Sequence, residues 1–440
     1  MSKIDLPYGD AALSIQIPDR LLGEVIKPST IVSEDDAADA VTSALDHPIG
    51  TARIEEIAGP RQRIVVIIDD ISRETPIARL LPAVLDRLRR AGAGRDLIDI
   101  VVALGTHRPM TPAEIEAKVG SEIRRTFRIV NVPCDDRQSM VYKGDSSNGI
   151  PAYVQRTVAE ADLRIGIGMI TPHMDVGFSG GAKIILPGVC SRRTVDAFHS
   201  RQARLAGNQL GVIAAPMRID LETFVGERIG LDFILNAVLN RGGGLYRCVA
   251  GHFIDAHRAG VGHAQKVYGV PVAGRYPLVV ANAYPAQIDW WQSTKGIAGA
   301  ELMTADGGTL VLMTPCPEGN RTHPLFADYL SRDPEDLLHE LEAGRARDPV
   351  ACAVAVPIAR IKQRIRLALV SPGLSASLAE RMGFIPYETV AEAIAGELPT
   401  DAGRNSIAVL THGGVSLPLM GADSQNDPAG PQVLSPGGKI

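Results

Sequence analysis

A chain of 440 residues with 45% hydrophobic and 22% charged side chains carries enough apolar material for two or three globular units. Its net charge of −5 lacks the basic excess that nucleic acids or anionic membranes attract, and 4% aromatic residues offer few base-stacking platforms. No apolar run reaches the roughly 20 residues of a membrane-spanning helix, the first residues lack a signal-peptide core, and Cys134, Cys190, Cys248, Cys316 and Cys352 form no C-x-x-C pair. A reduced, cytoplasmic protein is expected, with no nucleic-acid or membrane partner.

From about residue 60, short β-branched runs alternate with amphipathic helices. RIVVIID (63–69) reads as a buried strand, and PIARLLPAVLDRLRRAG (76–92) as a helix opened by a proline. IDIVVALG (98–105) is a second strand. TPAEIEAKVG (111–120) carries helix start and stop signals. RIVNV (128–132) and DLRIGIGMI (162–170) are further strands. This rhythm predicts an α/β protein of two domains, each a mainly parallel sheet flanked by helices, with the active site in the crevice between them.

Ligands of such sheets bind beyond the carboxyl ends of strands. Asp69-Asp70, Gly105-Thr106-His107 and Thr171-Pro172-His173 each follow a predicted strand and converge if those strands are neighbours. The stretch from Met169 to Ser200 is the richest in chemistry. It holds His173, His199, the pair Gly180-Gly181, and Lys183 directly before an apolar run. A lysine there is costly unless it has a partner or a covalent task. Glycines permit close backbone approach to a ligand.

A helix is predicted over 249–269, with His252, His257 and His263 read as surface or interface residues. Gly242-Gly243-Gly244 reads as a flexible loop and His412 as structural. Strands resume at 274–285, 307–316, 364–371 and 405–414. The expected domains are 1–268, which binds the cofactor and holds the catalytic groups, and 269–422, with a flexible Pro/Gly-rich tail at 423–440.

Five motifs lie in order between about residues 65 and 300: Asp69-Asp70-Ile71-Ser72-Arg73-Glu74-Thr75-Pro76, Gly105-Thr106-His107-Arg108-Pro109, Phe178-Ser179-Gly180-Gly181-Ala182-Lys183, His199, and Trp291-Gln292-Ser293-Thr294-Lys295-Gly296. In that order they resemble the nickel-pincer lactate racemase family. The resemblance implies a racemase or epimerase that inverts C2 of a 2-hydroxy acid. It implies a nickel-pincer nucleotide cofactor, a nicotinate-derived mononucleotide with two sulfur-bearing arms, made and loaded by partner enzymes. By the same resemblance, Lys183 forms a thioamide to one arm and His199 completes the nickel coordination. Ser179, Gly180, Gly181 and Asp70 complete the cofactor site.

His107 and His173 are then the acid and base on opposite faces of the substrate, acting alongside hydride transfer. Arg73, Gln292 and Lys295 bind the substrate carboxylate, and Trp291 lines the pocket. The residue types suit these tasks. Imidazole and sulfur suit nickel, a desolvated lysine becomes a nucleophile, and an arginine fork matches a carboxylate. Arg108 and Arg321 are two further cations that would suit a second substrate carboxylate, as in malate. Two alternatives remain open at this point: a nicotinamide-type 2-hydroxy acid dehydrogenase, although no G-x-G-x-x-G follows a first strand, and a non-catalytic anion or sugar-acid binding protein.

Overall fold

The run Ile64–Asp69 is buried at every position because it lies inside a six-stranded sheet with both faces covered. Ile64, Val66 and Ile68 pack with the helix Ile77–Arg90 on one face. Val65 and Ile67 pack with Ile185, Phe198 and Phe224 on the other. The strand order is Leu245–Gly251, Phe233–Leu239, Leu163–Met169, Ile64–Asp69, Ile98–Ala103, Arg128–Val130. All pairings are parallel except the first, an antiparallel hairpin. This computed structural model describes residues 1–31, 37–205, 207–240 and 242–421, so the tail expected at 423–440 lies outside the described residues.

A second six-stranded sheet is parallel throughout, in the order Ile385–Tyr387, Arg366–Val370, Thr304–Met313, Tyr276–Asn282, Ile407–Leu410, Leu22–Ile26. Its helices include Pro349–Arg364, whose N-cap Asp348 accepts from the Ala351 N–H at 3.1 Å. The architecture is thus the expected α/β one, with mainly parallel sheets between helices.

Two segments differ from expectation. The chain's first residues fall in the range assigned to the first domain, yet Leu22–Ile26 pairs with Ile407–Leu410 in the second sheet. The hairpin Ser2–Tyr8/Ala11–Ile17 buries Ile4, Leu6, Ile15 and Ile17 against Leu278 and Val280. That hairpin supplies the apolar cover that one face of the second sheet needs. The helix expected from 249 starts instead at Asp255, because Leu245–Gly251 is a strand. Its partner Phe233–Leu239 is buried at every position and was not anticipated. Gly242 and Gly244 lie in the intervening turn, where both N–H groups donate to Asn240 Oδ1 at 3.0 Å.

Candidate active site

The three strand ends do converge. Asp69, Asp70, Gly105, Thr106, His107, Met169 and His173 line one cavity. Trp291, Gln292, Thr294 and Lys295, which follow the strand Tyr276–Asn282, close it from the second sheet. Arg73, Ser179, Gly180, Lys183 and His199 also line it. All but one of the candidate site residues therefore share a single cavity. Gly181 sits just behind the wall, with its N–H bonded to Asn236 Oδ1 at 2.8 Å.

His107 is held at both ring nitrogens. Its Nδ1 lies 2.7 Å from Asp70 Oδ2, and its Nε2 lies 2.8 Å from Gln292 Nε2. Gln292 Oε1 accepts from Arg73 at 2.9 Å and from Lys295 Nζ, so its amide N–H points at the imidazole. These partners assign Nδ1–H and a lone pair at Nε2. Burial alone would raise the Asp70 pKa, but His107 and Arg73 hold it well below the usual carboxylate range. Asp69 plays a different part. It accepts from Thr75 Oγ1 and pairs with Lys118 Nζ at 3.1 Å, which fixes the turn between them; it does not cap the following helix.

His173 has the reverse arrangement. Its Nδ1 accepts the Asp175 backbone N–H at 3.2 Å, which leaves Nε2 to carry the proton of the neutral ring. Burial, then the positive fields of Lys183 and Lys295, push its pKa well down. His199 lies on the helix Arg192–Ala203 and donates from Nδ1 to the Val195 carbonyl at 2.9 Å. Burial pulls its pKa down to about 4, so Nε2 keeps its lone pair at neutral pH.

Lys183 sits in a short helical turn after Gly180 (φ 76°) and Gly181 (φ 58°). A Cβ at Gly180 would lie 2.8 Å from Asn236 Oδ1, and one at Gly181 would lie 3.0 Å from His257. Only glycine fits this close, left-handed path. Burial, then the charge of Arg73, lowers the Lys183 pKa, and burial lowers that of Lys295 as well. Lys183 is half-buried and lines the cavity. The Ser179 N–H donates to the Thr171 carbonyl and the Gly181 N–H to Asn236, so those two donors are engaged within the protein.

Several residues that shape the site were not anticipated. Arg218 is fully buried and donates to the carbonyls of Val176, Phe178 and Gly180. His257, expected at the surface, is 1% exposed, and its Nε2 donates to the Ser179 carbonyl at 2.8 Å. Glu222 joins the pair by accepting two bonds from Arg258, at 2.7 and 2.9 Å. His323 reaches in from the second sheet. Its Nδ1 lies 2.7 Å from Asp348, its Nε2 3.0 Å from Thr106 Oγ1, and its ring 4.1 Å from Trp291. Trp290 is instead buried in the second core, edge-on to Phe384.

Arg108 does not reach the cavity. It forks onto Glu114 at 2.7 and 2.8 Å and bonds Glu318 at 2.7 Å. Arg321 is exposed and is not part of the cavity wall. The expected site for a second substrate carboxylate is therefore not formed by these two cations.

A family model described as the lactate racemase N-terminal domain matches residues 8–210. The chain is 31% identical to a lactate racemase of Lactiplantibacillus plantarum over 350 residues, 77% of this chain and 81% of the relative. It is 29% identical to a lactate racemase of Thermoanaerobacterium thermosaccharolyticum over 354 residues, 79% of this chain and 82% of the relative. The solved structure of the lactate racemase apoprotein from T. thermosaccharolyticum superposes with a TM-score of 0.83 at 27% identity, covering 95% of this chain and all of that one. A Thermotoga maritima protein shares the fold at a TM-score of 0.68 and 17% identity, covering 90% of this chain and all of that one.

Proposed function

The chain belongs to the lactate racemase family and is an isomerase, and on that premise we propose that it inverts C2 of a 2-hydroxy acid in the cavity between its two sheets. The observation that carries this reading is the pair of histidines lining one cavity with opposite hydrogen-bonding states, next to a cluster of cations. Inversion needs a proton acceptor and a proton donor that can exchange roles on opposite faces of one carbon.

Arg73 and Lys295, bridged by Gln292 Oε1, form the carboxylate receptor. With the carboxylate seated there, His107 Nε2 takes the hydroxyl proton of one enantiomer, and Asp70 stabilises the imidazolium that results. His107 returns that proton when the C2 hydrogen is delivered back, and His173 is placed to serve the hydroxyl of the other enantiomer, a role that requires its ring proton to move from Nε2 to Nδ1. Trp291, fixed by His323, forms the wall against the C3 substituent.

The residues present suit a nickel-pincer nucleotide. His199 offers a neutral imidazole with a free Nε2. Lys183 offers an amine whose charge is disfavoured, as thioamide formation requires. Gly180, Asp70 and Ser179 line the same wall, and Gly181 stands just behind it. When bound, the group supplies a hydride acceptor for the C2 hydrogen, which is too weak an acid for direct removal. Cofactor biosynthesis and loading enzymes are its implied partners. No helix among the described residues is long and apolar enough to cross a membrane.

The test is chiral chromatography of single enantiomers of several 2-hydroxy acids, after incubation with protein co-produced with the cofactor-biosynthesis enzymes. Inversion of at least one acid, lost in His107→Ala and His173→Ala, supports the reading. Nickel-replete protein that inverts none of them overturns it.

A further inference from the structure

A small cavity within the first domain is lined by sulfur. Cys134, Met140 and Cys190 border it together with Gln155. Gly105 and Gly188 separate it from the main cavity, and the Gly105 N–H donates to the Gly188 carbonyl at 2.9 Å. Three parts of the chain meet there. Met140 and Gln155 stand directly opposite each other in the antiparallel pair Met140–Asp145/Pro151–Gln155, so their side chains share one face. Cys190 forms an isolated bridge to Val154 of the same pair. Cys134 is tied to the next segment, because its carbonyl accepts from the Arg192 N–H at 3.0 Å.

Both cysteines are unpaired and buried, at 5% and 1% exposure. They are close enough to act on each other: burial, then the field of Cys134, raises the Cys190 pKa. Burial pushes the Cys134 thiol up to about 11. Cys190 Sγ donates to the Ile185 carbonyl at 3.2 Å. Met140 is half-buried, which makes the thioether the accessible end of the set. Gln155 adds an independent observation. It is 3% exposed, and its Oε1 is buried with no hydrogen-bond partner among the described residues. A buried acceptor without a donor is costly, and an apolar guest would leave it so, whereas a cation would not.

The donor set decides which cation. Among the described residues, no three His, Cys, Asp or Glu side chains gather where they could hold a metal, so a hard or borderline divalent ion lacks its ligands. Two thiols and a thioether are soft donors, which favour cuprous copper. We propose that Cys134, Cys190 and Met140 form a site for one thiophilic monovalent ion, Cu(I), with Gln155 Oε1 turned to the bound charge. The ion is held by two thiolates and the thioether. Both thiol protons leave to solvent, and the copper enters and stays as Cu(I), so no oxidant or reductant is needed. Because burial keeps both thiols protonated at neutral pH, affinity should rise by about 100-fold per pH unit. The site does not depend on the racemase reading.

The experiment is anaerobic competition for Cu(I) between the full-length cofactor-free protein and bicinchoninate, at two pH values one unit apart. X-ray absorption at the copper edge identifies the ligand atoms. The parent should bind one Cu(I) per chain through sulfur, more tightly at the higher pH. Affinity should fall by at least roughly tenfold in Cys134→Ala, Cys190→Ala and Met140→Leu, no less than the loss of a metal's outer-shell support costs, and stay unchanged in Cys248→Ala. Thermal melts check that each variant is folded. Met140→Leu, a near-isosteric change at a half-buried position, carries the test if a cysteine variant is not. The proposal is overturned if the parent binds no stoichiometric copper, if the ligands are nitrogen, if copper is lost in His199→Ala and kept in Cys134→Ala, or if Met140→Leu binds as the parent does.

Discussion

His107 and His173 face one cavity in opposite hydrogen-bonding states. The first gives its Nδ1 proton to Asp70 at 2.7 Å, and the second accepts a backbone N–H at Nδ1 at 3.2 Å. One ring therefore presents a lone pair at Nε2 and the other a proton. On the proposed reading, one enantiomer would meet a base at His107, and the mirror-image substrate would use His173 only after its ring proton had moved from Nε2.

Asp70→Asn should disrupt this asymmetry with little change to the fold. An amide can donate to Nδ1, which moves the His107 proton to Nε2 and removes the base. Turnover should fall by roughly 10²- to 10⁴-fold, by analogy with carboxylate-to-amide changes at other Asp–His pairs, while KM changes little. Steady-state kinetics of the loaded protein, with a thermal melt as control, give the result.

His199 predicts an acid-side stability loss of defined sign. Its folded pKa of about 4 lies below the ordinary 6.5, so the unfolded chain takes up a proton first as pH falls. The stability that the neutral, buried ring permits is present above pH 6.5 and is lost between about 6.5 and 4. Relative to the parent, His199→Met should gain about 2 kcal/mol over that interval, after discounting for the part of the ring that faces the cavity. Denaturant melts at several pH values measure it.

Arg218→Met removes a buried cation that satisfies three carbonyls of the glycine turn. It also leaves Glu222 with one fewer partner. The expected cost is about 3–5 kcal/mol in urea unfolding, accompanied by reduced cofactor loading, because the path of residues 176–181 sets where Lys183 points.

Much of this site could be read from the chain because its parts are local. Ile64–Ile68 is a continuous apolar run and Leu163–Met169 one broken only by Arg164 and glycines, as in doubly covered strands, and the polar residues that follow them sit where parallel sheets bind ligands. The Thr-Pro start and Gly stop read for the helix at 111–120 are where the structure has them, with Thr111 and Glu114 also forming a capping box. The supporting residues were hidden because their partners are distant. His323 and Thr106 are 217 positions apart, and His257 and Ser179 are 78 apart. Arg218 and Glu222, four apart in an amphipathic segment, read as an ordinary surface pair until the fold buries them. The strand Phe233–Leu239 is a seven-residue run with no period of two, which periodicity alone does not separate from a buried helix, although Asn240 and the glycines after it mark its turn.

Arg108→Ala tests the exclusion of a second carboxylate site. The half-exposed ion pairs to Glu114 and Glu318 should contribute less than about 1 kcal/mol to stability. The ratio of activity on a dicarboxylic to a monocarboxylic 2-hydroxy acid should stay within about twofold, because Arg108 is spent on those two carboxylates. A selective loss on the dicarboxylic acid in paired assays would return Arg108 to the pocket.

The most direct test of the proposed roles is the fate of an isotope at C2. A single enantiomer of a 2-hydroxy acid carrying deuterium at C2 is inverted by the loaded protein in ordinary water, and the product is examined by mass spectrometry at early conversion. If His107 and His173 move only the hydroxyl proton, the product enantiomer keeps its deuterium. If either histidine instead removes the C2 hydrogen as a proton, the product carries hydrogen from water, and the roles assigned to the two histidines are wrong.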